Sequence, residues 1–438
     1  MPWFLNIVYF AVLVAASPLL CWRIIVHGKY RTGWREKLLG RVPRRAGDGP
    51  CLWFHAVSVG EVLQLEPVLK ELRTRLPAAE FVISTTTPTG RSVAEAKFSG
   101  ARVCYFPLDF SWAVREAVSR IRPSAIVLVE LELWPNFILY ARRRGIPVSL
   151  INGRLSERSL RGYRRLRPLV AHLLQGLHAI AVQNSTYAER FAELGAPREL
   201  PCVTGSIKFD RVMIDRRNPK TAELRTAFGI APSDRVFIAG STQETEESAA
   251  IDAYLALRDR FPVLRLIVVP RHKERFDEVA QLVETRGLPL YRRTDSLCGR
   301  RQADSSRPIL LLDTLGELAA CWGLADVAFV GGSLTNRGGQ NMIEPAGYGA
   351  ALLFGPNTQN FRDVVELLLS EGAARVVQNG EELTAAVGDC LAHPERAREQ
   401  GARAQRLVLA QQGATLRTVD ILAALPGLSP AATQSTAA

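Results

Sequence analysis

From residue 51 to about residue 390, short apolar runs alternate with amphipathic stretches almost without a break, and this alternation constrains the chain more than any other feature. Cys51–Ala56, Glu80–Thr85, Ala125–Glu130, Pro147–Ile151, Ala179–Gln183 and Pro201–Thr204 read as strands. Val62–Arg75, Gly90–Phe98, Ala113–Ile121, Pro135–Arg144 and Thr186–Leu194 read as the helices between them. Strand then helix, repeated, predicts a parallel sheet covered on both faces. The pattern breaks at Asp215–Lys220, a polar stretch with a proline that suits a linker. It then resumes, with strands at Val236–Ala239, Leu264–Val269, Ile309–Leu312, Val327–Val330 and Ala351–Phe354 and helices at Glu246–Arg260, Lys273–Thr285 and Leu383–Cys390. The expected fold class is α/β, with two doubly wound parallel-sheet domains facing a cleft. The first spans residues 23–215 and the second 216–425, and the Ser/Thr/Ala-rich tail 426–438 is expected to be disordered.

The N-terminus departs from this pattern. Trp3–Trp22 is an apolar run without a charge, and as a helix it is about 30 Å long, the thickness of a bilayer's hydrocarbon core. Eight Lys or Arg follow between Arg23 and Arg45, against the single acid Glu36. Residues 1–22 are therefore expected to be a membrane anchor, spanning or half-inserted, and the basic flank puts the remainder on the cytoplasmic side. The alternative is a buried or peripheral N-terminal helix. A signal peptide is disfavoured, because no Lys or Arg precedes the apolar run. The formal charge of +12 calls for an anionic partner. No nucleic-acid motif or aromatic-basic stripe is present, which leaves a membrane surface or a phosphorylated substrate. Seven scattered cysteines without CxxC spacing read as reduced thiols.

Ligands of open α/β sheets sit outside the carboxyl ends of the strands, so the residues after each strand carry the chemical signal. Glu61, in His55–Glu61, is a general base if burial raises its pKa, or a carboxylate favoured by a helix N-terminus. The hydroxyls of Ser84–Gly90 suit phosphate or sugar oxygens, or simple capping. Glu130 and Glu132 alternate onto one side, so that one is functional and the other its ion-pair partner. Lys208 holds a phosphate or developing negative charge, or pairs with Asp210. In the second half, Ser241–Glu247, Arg271, Asp313–Leu318, Gly331–Leu334 and Arg337–Ala346 follow strands. Arg271 is the strongest phosphate candidate, and Glu344 suits the paired hydroxyls of a ribose. Several such loops in one half point to a nucleotide, although neither GxxxxGK[ST] nor GxGxxG occurs. HExxH, paired histidines and DxD are missing, so neither a metal nor a cofactor is expected. His55, His178 and His272 read as structural or hydrogen-bonding residues.

HAVSVGE at 55–61, TTTPTG at 85–90, ELELWPN at 130–136, NGRLSERS at 152–159, GSIKFD at 205–210, VPRHKER at 269–275, GEL at 316–318, FVGGSL at 329–334, GGQNMIEPA at 338–346 and GPNTQNF at 355–361 occur in that order. These blocks resemble the 3-deoxy-D-manno-octulosonic acid (Kdo) transferases of lipopolysaccharide assembly. The resemblance implies a GT-B glycosyltransferase at the inner membrane, which moves Kdo from CMP-Kdo to a lipid A precursor with inversion and without a metal. It places the catalytic base on Glu61 and the transition-state stabilisers on Glu130 and Lys208. It places the CMP contacts on Pro270, Arg271, Gly316, Glu317, Leu318, Asn341, Met342, Ile343 and Glu344. Gln243 and Thr245 stand where the family commonly has His and Gly, and Gln340 where many members have His. The basic band at 23–45 and Arg154, Arg158, Arg161, Arg164, Arg165 and Arg167 are expected to meet the acceptor's phosphates and the anionic leaflet, or to form a solvated face. The alternatives are a GT-B enzyme with another nucleotide sugar and lipid acceptor, and a non-catalytic membrane-tethered nucleotide-binding protein.

Overall fold

A computed structural model describes residues 2–27, 32–299 and 307–428, with only the backbone described for 2, 16, 19–21 and 23–27. The apolar runs become strands because they are covered on both sides. Cys51–His55 and Ala125–Val129, for example, are buried at every position, as a sheet with helices on both faces requires. The first sheet comprises β1 (Cys51–His55), β2 (Glu80–Thr85), β3 (Arg102–Tyr105), β4 (Ala125–Val129), β5 (Val148–Gly153), β6 (Ala179–Val182) and β7 (Pro201–Val203). They pair in parallel in the order β3-β2-β1-β4-β5-β6-β7. Alternate residues of β1 enter different cores, with Trp53 packing on one face and Leu52 and Phe54 on the other.

The second sheet comprises β8 (Arg235–Thr242), β9 (Leu264–Pro270), β10 (Leu290–Arg292), β11 (Ile309–Leu311), β12 (Val327–Val330), β13 (Ala351–Phe354) and β14 (Ala374–Val376). Its order is β10-β11-β9-β8-β12-β13-β14, again parallel. The strand order reverses between β1 and β4 in one sheet and between β8 and β12 in the other. Those two reversals open a crevice at the strand carboxyl ends of each sheet.

The chain divides into residues 1–210 with 412–438, and residues 211–411. The boundaries expected at 215 and 425 therefore shift. The helix Ala414–Ala423 packs against the helix Val59–Arg75 of the first unit, and its Ala414, Val419 and Leu422 join that unit's core together with Leu425 and Leu428. Leu428, expected within a disordered tail, is buried, and residues 429–438 lie outside the described residues.

The N-terminal expectation is corrected. Residues Pro2–His27 form a helix with Pro18 inside it, but among the described residues no helix is long and apolar enough to cross a membrane. The helix instead directs polar groups into the first unit. Asn6 Nδ2 donates to Ser111 Oγ (2.8 Å), and Asn6 Oδ1 accepts from Ser111 N–H (3.0 Å) and from Asn136 Nδ2 (3.2 Å). The Tyr9 hydroxyl donates to Asp109 Oδ2 (2.8 Å), and Leu5 is buried among the core residues. The transmembrane anchor is overturned, and the inner-membrane localisation and cytoplasmic side inferred from it go with it.

Candidate functional site

The β1/β4 reversal of the first unit gathers charged side chains on short, firmly held turns. After β1 the chain enters the helix Val59–Arg75, with Ser58 as its N-cap. Ser58 Oγ accepts the Glu61 N–H (3.3 Å) and donates to Glu61 Oε1 (2.8 Å), while Glu61 Oε2 accepts the Val57 N–H (2.8 Å). Glu61 thus closes a reciprocal cap, which also fixes its carboxylate. Burial pushes its pKa above the ordinary carboxylate value, opposed by the Ser58 and Val57 hydrogen bonds and reinforced by the Glu130 charge. The two sequence readings of Glu61 are therefore compatible: the residue caps the helix, and its carboxyl has the raised pKa that the general-base expectation calls for.

Glu130, directly after β4, has φ 61°. A non-glycine residue in this left-handed region costs on the order of 1 kcal/mol and is held there by its surroundings. Its Oε1 accepts from Gln64 Nε2 (3.3 Å) and lies 3.6 Å from Lys208 Nζ. Asn152 Nδ2 donates to Gln64 Oε1, and Asn152 Oδ1 accepts the Ile207 N–H (3.3 Å) at the start of the turn that carries Lys208. Gln64 and Asn152 therefore tie Glu130 to the Lys208 turn, a role sequence reasoning missed. The available signals were a polar residue on an otherwise apolar helix face and an asparagine near a strand end. The alternative of an Asp210 partner for Lys208 fails. The Asp210 carboxylate accepts the Gly413 and Thr415 N–H groups (2.7 and 2.5 Å) and anchors the C-terminal helix.

Glu132 accepts the Trp134 indole N–H (2.9 Å) at Oε2, which lies 4.0 Å from His55 Nε2. Burial pushes Glu132 up to about 7, with the charges of Glu61 and Glu130 adding to the shift. His55 is fully buried and stacked on Phe106 (3.7 Å between ring centroids), and burial pushes its pKa down to about 3. The hydroxyls of Thr85, Thr86 and Thr87 have partners within the unit. Thr85 and Thr86 donate to the Val57 carbonyl (3.0 and 3.3 Å), and Thr87 caps the helix Pro88–Lys97.

The basic groups divide. Lys37 is buried against the Tyr105 ring (4.2 Å), and Arg45 is buried with bonds to the Ile121 and Gly49 carbonyls and to Glu80. Both are structural, while Arg35, Arg41 and Arg44 are exposed. Arg23, Lys29 and Arg31 lie outside the described side chains. In the second group Arg161 and Arg164 pair with Glu157 and Glu193, Arg167 bonds the Glu193 carbonyl, and Arg158 and Arg165 are exposed.

In the second unit, the loops at the β8/β12 reversal are organised by a carboxylate of the chain itself. Glu246 is fully buried and accepts the N–H groups of Gln243 (2.8 Å), Gly332 (2.7 Å), Ser333 (3.0 Å) and Leu334 (2.9 Å). The Gly331–Leu334 loop, expected to receive a ligand, thus already holds an anion. The candidates that remain lie after β9, β11 and β12. Arg271 is exposed, bonded through its backbone N–H to the Thr242 carbonyl (3.0 Å), and makes no side-chain ion pair among the described residues. Pro270 ends β9 and is buried. Glu344 accepts from Asn341 Nδ2 (2.9 Å). Burial raises its pKa, opposed by that bond and by the Arg211 and Arg271 charges. Met342 and Ile343 turn their side chains into the core and offer only backbone. Gly316 has φ 84°, and beside it the Glu317 carboxylate is committed to Arg293 (3.0 Å) and the Thr314 hydroxyl. Loop 316–318 therefore also presents mainly backbone, together with the half-buried Leu318.

Residues 32–211 match the family model described as 3-deoxy-D-manno-octulosonic-acid transferase (kdotransferase). The chain is 33% identical to the 3-deoxy-D-manno-octulosonic acid transferase of Bordetella pertussis, over 95% of this chain and 98% of that one. It is 31% identical to the Haemophilus influenzae enzyme of the same name, over 94% and 97%. In fold it is similar to UDP-GlcNAc 2-epimerase from Neisseria meningitidis, with TM-score 0.57 and 14% identity over 85% of this chain and 99% of that one.

Proposed function

Because the chain belongs to the 3-deoxy-D-manno-octulosonic acid transferase family, we propose that it transfers Kdo from CMP-Kdo to a lipid A precursor (lipid IVA), with inversion, in lipopolysaccharide core biosynthesis. The observation that carries this reading is the arrangement around Glu61, a carboxylate fixed by two hydrogen bonds and made more basic by burial, beside the Glu130–Lys208 pair. The acceptor hydroxyl oxygen attacks the anomeric carbon of Kdo, and its proton passes to Glu61. The bond from that carbon to the CMP phosphate oxygen breaks, and its electron pair leaves with CMP. Glu130 stabilises positive charge on the oxocarbenium-like sugar, and Lys208 stabilises negative charge. On the second unit, Arg271 takes the phosphate charge and Glu344 the ribose hydroxyls, while Pro270 and the backbone of Gly316, Glu317, Leu318, Asn341, Met342 and Ile343 hold the base. The exposed Arg158 and Arg165 suit the phosphates of the acceptor and the anionic leaflet that carries it.

The test is an assay with CMP-Kdo generated in situ and a lipid A precursor, read by mass spectrometry. The expected product gains Kdo. Glu61→Ala loses about 10²- to 10⁴-fold in turnover while CMP still protects the protein from thermal unfolding. Protection by UDP and not CMP would reject the donor, and full turnover in Glu61→Ala would reject the base.

A further inference from the structure

The transfer step leaves one titratable pair of the acidic cluster unused, Glu132 and His55. His55 Nδ1 lies 3.2 Å from the Ser84 backbone carbonyl, which can only accept, and 3.2 Å from Ser84 Oγ, whose own hydrogen goes to the Phe54 carbonyl (3.2 Å). Nδ1 therefore carries the hydrogen, and Nε2 presents a bare lone pair. That atom is buried without a hydrogen-bond partner. Glu132 Oε2 stands 4.0 Å away, too far for a direct bond but within reach of a small carboxyl rotation or one bridging water. Five groups face Glu132 or stand behind those that do. His55 comes from β1, Glu61 from the following helix, Glu130 from the same loop with Lys208 behind it, and Tyr163 from the helix Glu157–Arg164. An ionised Glu132 would place three carboxylates beside one ammonium.

We propose that Glu132 is a positioning residue for Glu61: it stands in the cluster as the protonated acid, its hydroxyl turned to the unpaired Nε2 of His55, and so withholds a third negative charge from Glu61 and Glu130. The effect on turnover rests on the transferase reading above; the proton itself does not. Burial agrees with this placement, since it moves Glu132 up to about 7 and His55 down to about 3, which leaves the shared proton on Glu132. As pH rises through about 7 the proton leaves, and the cluster gains a charge that repels anionic substrates.

The Trp134 indole N–H, bonded to Glu132, reports that proton directly. In a ¹⁵N-tryptophan-labelled protein its resonance is assigned by its loss in Trp134→Phe. Asp109, which accepts the Asn136 and Phe137 N–H groups beside Trp134 and is also pushed up to about 7, is separated by its own variant: we expect a transition near pH 7 in the wild type that is kept in Asp109→Asn and lost in Glu132→Gln. In turnover, Glu132→Gln should remain within about tenfold of wild type and lose the alkaline decline, whereas Glu132→Ala should fall at least about tenfold further. A wild-type indole that does not titrate overturns the proposal, as does one that titrates unchanged in Glu132→Gln. Should Glu132→Gln not fold, Asp109→Asn decides: a transition kept there supports the proposal, and one lost there overturns it. The titration needs no substrate, so a chain that transferred another sugar would still show it. Kdo transfer with no indole transition would reject the proton and leave the transferase reading standing.

Discussion

Thr245 has φ 78° just before the helix Glu246–Leu257, a conformation that a β-branched side chain resists. The resembled family commonly has glycine there, and the strain is what that glycine would relieve. Thr245→Gly is expected to raise stability by roughly 0.5–1 kcal/mol after allowing for glycine's greater freedom in the unfolded chain. The measurement is a higher urea midpoint with an unchanged m-value. At this scale the sequence disclosed residues by position but not by partner. Glu61, Glu130, Lys208 and Arg271 stood out because each follows a strand. That Lys208 meets Glu130 and not its neighbour Asp210 depends on Asp210 being taken by the C-terminal helix, a contact between residues 203 or more positions apart. Glu246 drew attention only as part of a polar stretch, because nothing local shows that four backbone N–H groups converge on it.

The elements were legible where burial on both faces writes a continuous apolar run. Val327–Val330 and Ala351–Phe354 fold with the bounds read from the sequence. Missing from that reading were β3, β10 and β14, each short and only partly buried. All three are sheet edges; an edge strand needs fewer apolar residues and leaves a weaker pattern. The helix Pro135–Arg143 shows how one element is anchored. Asp109 accepts the N–H groups of Asn136 and Phe137 (2.8 Å each) as well as the Tyr9 hydroxyl. Burial pushes Asp109 up to about 7 from an ordinary 3.8. Between those values the folded chain holds a proton that the unfolded chain has released, so stability from this group is fully present below pH 3.8 and declines as pH rises to about 7. Asp109→Asn cannot ionise. Its melting temperature should therefore fall less than that of the wild type between about pH 4 and about pH 7, even if it starts lower for want of one acceptor. Parallel slopes in the two proteins would show that Asp109 does not titrate in this range.

Across the whole chain, the sequence pattern reached the class of fold and the family, yet misassigned both ends, and for one reason. Hydropathy states that a segment is apolar without stating what covers it. At the N-terminus an apolar run reads as lipid-facing, while Asn6 and Tyr9, two polar residues within it, bond to residues of the first unit's helices and turns. At the C-terminus the residues up to 425 are expected in the second domain, whereas the helix Ala414–Ala423 covers the helix Val59–Arg75 of the first unit. This return crossing makes side chains between Ala414 and Leu428 part of the first unit's core. Val419, Leu422, Leu425 and Leu428 are buried there, and at roughly 1.5–3 kcal/mol per side chain their loss approaches the entire stability of a domain. A chain ending at Gln411 should therefore lose the fold of residues 1–210 and keep that of 211–411. Six of the seven tryptophans lie in the first unit and only Trp322 in the second, so intrinsic emission should shift toward that of exposed indoles. Protection of the second unit by CMP should persist. An emission spectrum unchanged by the truncation would mean that the first sheet is stable without its C-terminal cover.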